Sequence, residues 1–217
     1  MILLASKSPG RLATLRAAGV EPLVRVSAVD EDTVLHELAD RRRLANLPAP
    51  SPSEQVQALA QAKALDVAAS TDPQEAEVVV GCDSMLEIHG QTVGKPDSAT
   101  QARERWRAMS GSTGTLYTGH FLLRTTDRAI AEGVSSATIR FGSPSQDEIE
   151  AYIASGEPLW CAGAFTIDGL GGAFIEGIDG DPHGVVGISL PLLRRLLADL
   201  GVRWTDLWAP PAGGETD

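Results

Sequence analysis

The sequence is poor in positive charge. Lysine and arginine together number 18 against 29 aspartates and glutamates, a formal charge of −11. A chain this acidic lacks the electrostatic footprint that holds nucleic acid or an anionic membrane surface. If it binds a polyanion, it must do so with a few basic groups gathered in one cleft. Long hydrophobic runs are missing too. The N-terminal Met1-Ile2-Leu3-Leu4-Ala5 turns polar at Ser6-Lys7-Ser8, far short of a secretory signal or a membrane span, and no later run is long enough. Cysteine occurs twice, at Cys82 and Cys161, and free thiols in a reducing cytoplasm are expected. The four histidines, His36, His89, His120 and His183, show no zinc spacing, with or without the cysteines. No G-x-x-x-x-G-K-[ST] occurs, which excludes a P-loop. No internal repeat is visible, which sets solenoids and propellers aside.

What remains is ordinary globular composition, with 43% hydrophobic and 22% charged residues over 217 positions. That length suits one sizeable core or two small lobes. Residues 2–5 read as a buried strand. Ser8-Pro9 opens a helix with Leu12, Leu15 and Ala18 on one face, closed by Gly19. A short strand over 23–27 precedes a helix from Asp32 to Leu44. Three prolines make 46–53 an extended linker, and Ser53 is expected to cap an Ala-rich helix to Ala69. Val78-Val79-Val80 predicts a central strand that ends in Gly81-Cys82-Asp83-Ser84. A hairpin at His89-Gly90 returns to Gly94-Lys95-Pro96. Then come a helix over 98–109, paired strands over 114–124 and 134–141, and a helix over 145–154. Its Ser145 and Glu148 form a capping box. The glycine-rich 156–187 reads as loops with one strand, 173–178, and a last helix spans 190–200. The expected fold class is α/β, a long mixed sheet flanked by helices, in two lobes with a cleft between them. Residues 1–208 are taken as a single domain and 209–217 as a disordered tail.

Five short stretches can carry chemistry. In Ser6-Lys7-Ser8-Pro9-Gly10-Arg11 a strand ends, two hydroxyls follow and a helix begins, so its free N–H groups favour a phosphate. Arg11 can add a forked, permanently charged contact. The plainer alternative is a capped helix with a surface arginine. Gly81-Cys82-Asp83-Ser84 places a carboxylate at a strand end, a usual position for a metal ligand or general base, and equally for a turn-forming aspartate. Gly94-Lys95-Pro96 can project a lysine from a fixed base or form a simple turn. Lys63, among small residues on its helix, can approach another element or lie in solvent. Asp30-Glu31-Asp32 can offer an oxygen ligand to Mg²⁺ or merely cap a helix.

Taken in order, these stretches resemble the Maf family, the septum-formation-inhibitor-like nucleoside triphosphate pyrophosphatases. The likeness runs from Ile2 to about Leu200. It rests on Leu-Ala-Ser-x-Ser-Pro-x-Arg, Gly-x-Asp-Ser, Gly-Lys-Pro, Ser110-Gly111 with Tyr117-Thr118-Gly119, Ser-Gly-Glu-Pro…Ala-Gly-Ala-Phe, and Val185-Val186-Gly187-Ile188-Ser189-Leu190-Pro191. The resemblance implies hydrolysis of a nucleoside triphosphate to monophosphate and pyrophosphate by a hydrolase acting on acid anhydrides, in a house-cleaning role. It implies Asp83 as general base, with Asp83 and Glu31 at a site for Mg²⁺ or Mn²⁺. Ser6, Ser8, Arg11, Lys63, Ser84 and Lys95 would bind substrate. A homodimer is a further family expectation. The alternative is a nucleotide-binding regulator of septum formation that needs no catalysis.

The chain also departs from the family pattern. Gly10 stands where an arginine is usual, Trp160-Cys161 where Asp-Lys is usual, Phe165 for tyrosine and Asp168 for glutamine. Cys161 resembles the branch that prefers 7-methyl-GTP. An acidic Asp168 accepts hydrogen bonds, which suits the N1–H and N2–H₂ donors of guanine. A shift away from dTTP and UTP is therefore expected.

Overall fold

A computed structural model describes residues 1–209. Of the expected tail, Ala209 donates its N–H to the Gly19 carbonyl at 2.8 Å, and the positions after it lie outside the described residues. The strands are β1 (Ile2–Leu4), β2 (Leu23–Val24), β3 (Val78–Ile88), β4 (Gln91–Val93), β5 (Thr113–Arg124), β6 (Ile130–Phe141) and β7 (Ile175–Gly180). They form one seven-stranded sheet in the order β2-β1-β3-β5-β6-β7, with β4 also paired to β3. β1 runs parallel to β2 and β3, and the remaining pairs are antiparallel. The expected mixed sheet is therefore present, with helices against it.

Strand β3 does not end at Gly81 as expected. It continues to Ile88, because β5 pairs with it without a break from Val78 to Glu87. The glycine there admits a helix rather than making a turn. A Cβ at Gly81 would lie 2.1 Å from the Ala60 carbonyl oxygen, and one at Gly119, on β5, would lie 2.4 Å from that of Val56. Both contacts are with α3 (Pro52–Ala68), so the missing side chains let that helix lie directly on the sheet. Val56, Leu59, Ala60 and Ala64 are fully buried along it. Its cap is Ser51, with Glu54 completing a capping box, rather than Ser53. Ser53 falls inside the helix because Pro52 already occupies a first-turn position.

On its other edge β3 is paired at both ends only. β1 holds Val78–Val80 and β4 holds Leu86–Ile88, so no strand pairs with Gly81–Met85 on that side. Period-two alternation sends Asp83 to the α3 face and Ser84 to the opposite one. That opposite face packs Val78, Val80 and Cys82 against Leu193, Leu196 and Leu197 of α7 (Leu190–Asp199). Beyond the gap, Trp106 of α4 (Ala99–Met109) anchors an aromatic cluster with Phe141, Tyr152 and Phe174 at 5.4–6.1 Å, in edge-to-face arrangements. Its indole N–H is satisfied by the Ala164 carbonyl at 2.8 Å.

Other elements follow the sequence pattern closely. α1 (Pro9–Ala17) is capped by Ser8, and α5 (Gln146–Ala154) carries the Ser145–Glu148 capping box. α2 spans Glu31–Leu44 with Asp30 as its cap. The second strand is shorter than expected, and the strand expected over 173–178 is β7, two residues later. The short α6 (Pro182–Val186) and the 3-10 turns between Glu157 and Phe174 have no counterpart in the reading of 156–187 as loops. No helix among the described residues is long and apolar enough to cross a membrane. Both thiols are free.

Candidate active site

A cavity of about 840 Å³ opens at the unpaired stretch of β3, beside the end of β1. Ligand sites in parallel α/β arrangements tend to lie at such carboxyl ends of strands. Each residue expected at the substrate or metal site lines it: Ser6, Ser8, Arg11, Glu31, Lys63, Asp83, Ser84, Lys95 and Asp168. They come from α1 and the loop before it, from α2, α3 and β3, and from two later loops.

On the α3 side, Lys63 Nζ lies 2.6 Å from Asp83 Oδ1 and 2.7 Å from Glu31 Oε1. Close packing at Gly81 brings the Lys63 stem down onto the strand, and its side chain is only 13% exposed. The solvated alternative for this lysine is therefore excluded. One ammonium holds two carboxylates whose environments differ. Burial raises the Asp83 carboxyl above the ordinary aspartate range, with Lys63 and Arg11 restraining the rise. Burial pushes Glu31 up as well, but Lys63, Lys95 and Arg11 outweigh it and leave Glu31 below its usual range. Two carboxyls pushed apart in this way can divide proton transfer from charge neutralisation. Asp30 takes the capping role through the Asp32 and Thr33 N–H groups, which frees Glu31 for Lys63.

Arg11 forms the opposite wall and is 9% exposed, not a surface residue. Its Nε donates to the Gly187 carbonyl at 2.7 Å, Nη1 to Ser6 Oγ at 3.0 Å and Nη2 to Ser84 Oγ at 3.1 Å. A guanidinium has five N–H donors, so two remain unspent. Ser6 Oγ also accepts the Ser8 N–H at 3.2 Å, and Ser8 Oγ accepts the Arg11 N–H at 3.5 Å. Neither serine donates in these bonds, so each keeps its hydroxyl proton for a ligand. No carboxylate pairs with Lys95 among the described residues, and burial together with Arg11 lowers its ammonium below the ordinary lysine range. Its base is fixed differently from the expectation. A Cβ at Gly94 would meet nothing within 4 Å, whereas the Gly94 carbonyl accepts the Gly163 N–H at 2.9 Å and Arg105 Nη1 at 2.7 Å.

The rest of the wall comes from Glu157, Trp160, Cys161, Phe165 and Asp168. The Glu157 carboxylate accepts the N–H groups of Leu170 and Gly171 and the Tyr152 hydroxyl, at 2.9–3.0 Å, and ties that loop to α5. Burial pushes the Cys161 thiol up to about 11. Trp160 is 73% exposed at the rim, and the Asp168 side chain is exposed. Sequence reasoning gave Glu157, Thr118 and Gly187 no individual role. Their only signal was membership of the ordered stretches noted above.

The Maf-like protein family model matches residues 1–200. The chain belongs to the Maf-like family. It is 52% identical to the nucleoside triphosphate pyrophosphatase of Streptomyces coelicolor, over 96% of this chain and 95% of that one. It is 50% identical to the protein of that name from Rhodococcus opacus, over 98% of both chains. The same name is carried by a Mycobacterium ulcerans relative, 47% identical over 96% of both chains. Family membership accounts for why the scattered motifs converge on one cavity, although glycine stands at position 10 of this Maf-like chain.

Proposed function

We propose that this chain is a nucleoside triphosphate pyrophosphatase, cleaving substrate to nucleoside monophosphate and pyrophosphate. The observation that carries the reading is the placement of a buried, Lys63-paired Asp83 and a thrice-bonded Arg11 on facing walls of one cavity. The names of the half-identical relatives point the same way. It also accounts for an acidic protein binding a polyanion: the cations needed are few and local.

Asp83 accepts the proton of the attacking water as that oxygen bonds to the α-phosphorus. The bond from that phosphorus to the bridging oxygen breaks, and pyrophosphate leaves with its electron pair. The proton then passes from Asp83 to solvent. Arg11, Lys95 and the Ser6 and Ser8 hydroxyls face the charge that builds on the phosphate oxygens. General-base assistance contributes about 10²–10⁴-fold. Lys63 orients Asp83 in this scheme and does not reach a phosphate first.

A divalent ion fits the donor set in one way. Mg²⁺ at phosphate-transfer sites takes one or two carboxylates and completes its shell with water and substrate. Glu31 and Asp83, gathered on one ammonium, supply two carboxylates. No group of three or more potential ligands occurs among the described residues, so an all-protein cage is not the arrangement. When bound, Mg²⁺ or Mn²⁺ would neutralise developing phosphate charge.

Mixed nucleoside triphosphates with Mg²⁺ or Mn²⁺ should release pyrophosphate. Asp83→Asn and chelator should each remove most of that release. Activity should fall on acidification at a pH above the ordinary aspartate range, as Asp83 takes up its proton. Tight binding without turnover would instead favour a nucleotide-binding regulator, and release of single phosphate would overturn the reading.

A further inference from the structure

The hydroxyl of Ser84 lies between Arg11 Nη2, at 3.1 Å, and Thr118 Oγ1, at 2.9 Å. Distance alone leaves the direction of the Ser84–Thr118 bond open. A third contact fixes it. Thr118 Oγ1 lies 2.8 Å from the Gly184 carbonyl, which can only accept. Thr118 therefore spends its single proton on Gly184 and must accept from Ser84. Ser84 spends its proton on Thr118 and must present a lone pair to Arg11. The polarity of the chain Arg11→Ser84→Thr118→Gly184 is thus fully determined.

Thr118 is suited to this work by its surroundings. It is completely buried, and it sits directly opposite Ser84 in the register of β3 and β5. Its neighbour on the same face, His120, is also fully buried. His120 Nε2 accepts the Ser189 N–H at 2.9 Å while Nδ1 lies 3.1 Å from the Thr118 carbonyl. The segment 184–189 is therefore tied to β5 at Gly184 by Thr118 and at Ser189 by His120. Between those two ties, the Gly187 carbonyl accepts Arg11 Nε. Thr118 reaches Arg11 by two routes: through the oriented Ser84 hydroxyl, and through the strap that carries Gly187.

We propose that Thr118 is a positioning residue, which sets the hydrogen-bond polarity of Ser84 and so holds Arg11 toward the phosphate end of the cavity. Without the threonine hydroxyl, the Ser84 proton is free to rotate toward Arg11, where donor would face donor. The three hydroxyls around Arg11 therefore divide in role. Ser6 and Ser8 keep protons for a ligand, whereas Ser84 has none to offer and serves the arginine. Its catalytic consequence rests on the pyrophosphatase reading; its geometry does not.

The test uses the full chain, ¹⁵N-labelled, with variants Thr118→Val, Thr118→Ser and Ser84→Ala. The Arg11 Nε–H resonance should exchange slowly with water in the native protein and in Thr118→Ser. It should be lost or exchange at least tenfold faster in Thr118→Val. This readout needs no substrate, so it holds even if turnover proves absent. Affinity for inorganic pyrophosphate and kcat/KM should each fall about tenfold in Thr118→Val and recover in Thr118→Ser. Ser84→Ala should lower both similarly, and adding Thr118→Val to it should cost less than it does in the native background. An unchanged Arg11 resonance in Thr118→Val overturns the proposal, as does full multiplication of the two effects. Should Thr118→Val fail to fold, Thr118→Ala takes its place, and an Arg11 resonance and pyrophosphate affinity unchanged in that variant overturn the proposal equally.

Discussion

The two ends of the cavity are built on different principles. The end around Arg11 and Asp83 consists of buried side chains held by partners far away in sequence, such as Gly187, Ser84 and Lys63. The end around Trp160 and Asp168 consists of short 3-10 turns whose outermost side chains, Trp160 and Asp168, are exposed, tied back mainly through Glu157. Groups that meet developing charge must be fixed before reaction, because reorganisation during the reaction raises the barrier. Groups that choose among bases can sit on a mobile, variable surface. The contrast teaches that, under the proposed function, chemistry would fall to the sheet and base recognition to the loop.

The sharpest way to break the comparison is at Arg11. Arg11→Ala should lower kcat/KM by about 10²–10³-fold, the usual loss when a transition-state donor is removed. Arg11→Lys should recover little of it, since an ammonium cannot serve Gly187, Ser6 and Ser84 as a planar fork does. Steady-state kinetics on the two variants decide this, and near-native activity in the lysine variant would dissolve the notion of a fixed wall.

Gly81→Ala comes next. The new methyl would overlap the α3 backbone and lift Lys63 away from Asp83. Unfolding free energy should drop by about 1–3 kcal/mol, the usual cost of overpacking. Activity measured well below the melting temperature should fall as well. The same change at Gly94, where the space is open, should leave stability within about 0.5 kcal/mol.

His120 gives the fixed end a pH signature. Burial lowers its imidazole from 6.5 to about 4. The unfolded chain takes up this proton near pH 6.5 and the folded one only near pH 4. The stabilisation is therefore complete above pH 6.5, declines as pH falls through that window and levels off below it. Denaturant titrations should show a loss on the order of 2 kcal/mol between pH 8 and pH 5, with a smaller slope in His120→Gln.

The smallest effect is expected at the loop. Asp168→Gln should change the ratio of guanine to thymine or uracil nucleotide turnover several-fold, the worth of one hydrogen bond, with stability untouched. A native enzyme that already prefers dTTP and UTP would remove the base-reading role from Asp168.

The difference between the ends also governs what a sequence can disclose. Local rules are written in neighbouring letters, so the Ser8 cap, the Ser145 capping box and the two long hairpin strands were legible. Asp83, Arg11, Lys63 and Lys95 stood out as polar residues in glycine- or alanine-rich settings, and all four line the cavity. Their partnerships did not stand out. Lys63 was expected near phosphate, and its contacts with Glu31 and Asp83 were not foreseen. Gly81 was placed at a strand end, whereas β3 runs on through it and its missing Cβ admits α3. The Arg11–Gly187 bond joins residues 176 positions apart, and no periodicity encodes such a contact.

The gap in the edge of β3 has a consequence for how this molecule behaves in company. An unpaired strand edge ordinarily invites another strand, and with it aggregation. Here the bare stretch is Gly81–Met85, about 17 Å at roughly 3.3 Å per residue. β1 stops one end and β4 the other, so an incoming chain cannot run on past it in register. Five residues leave little room for the extended strand pairing that aggregation requires. The bare edge is thus walled at both ends by the sheet's own strands.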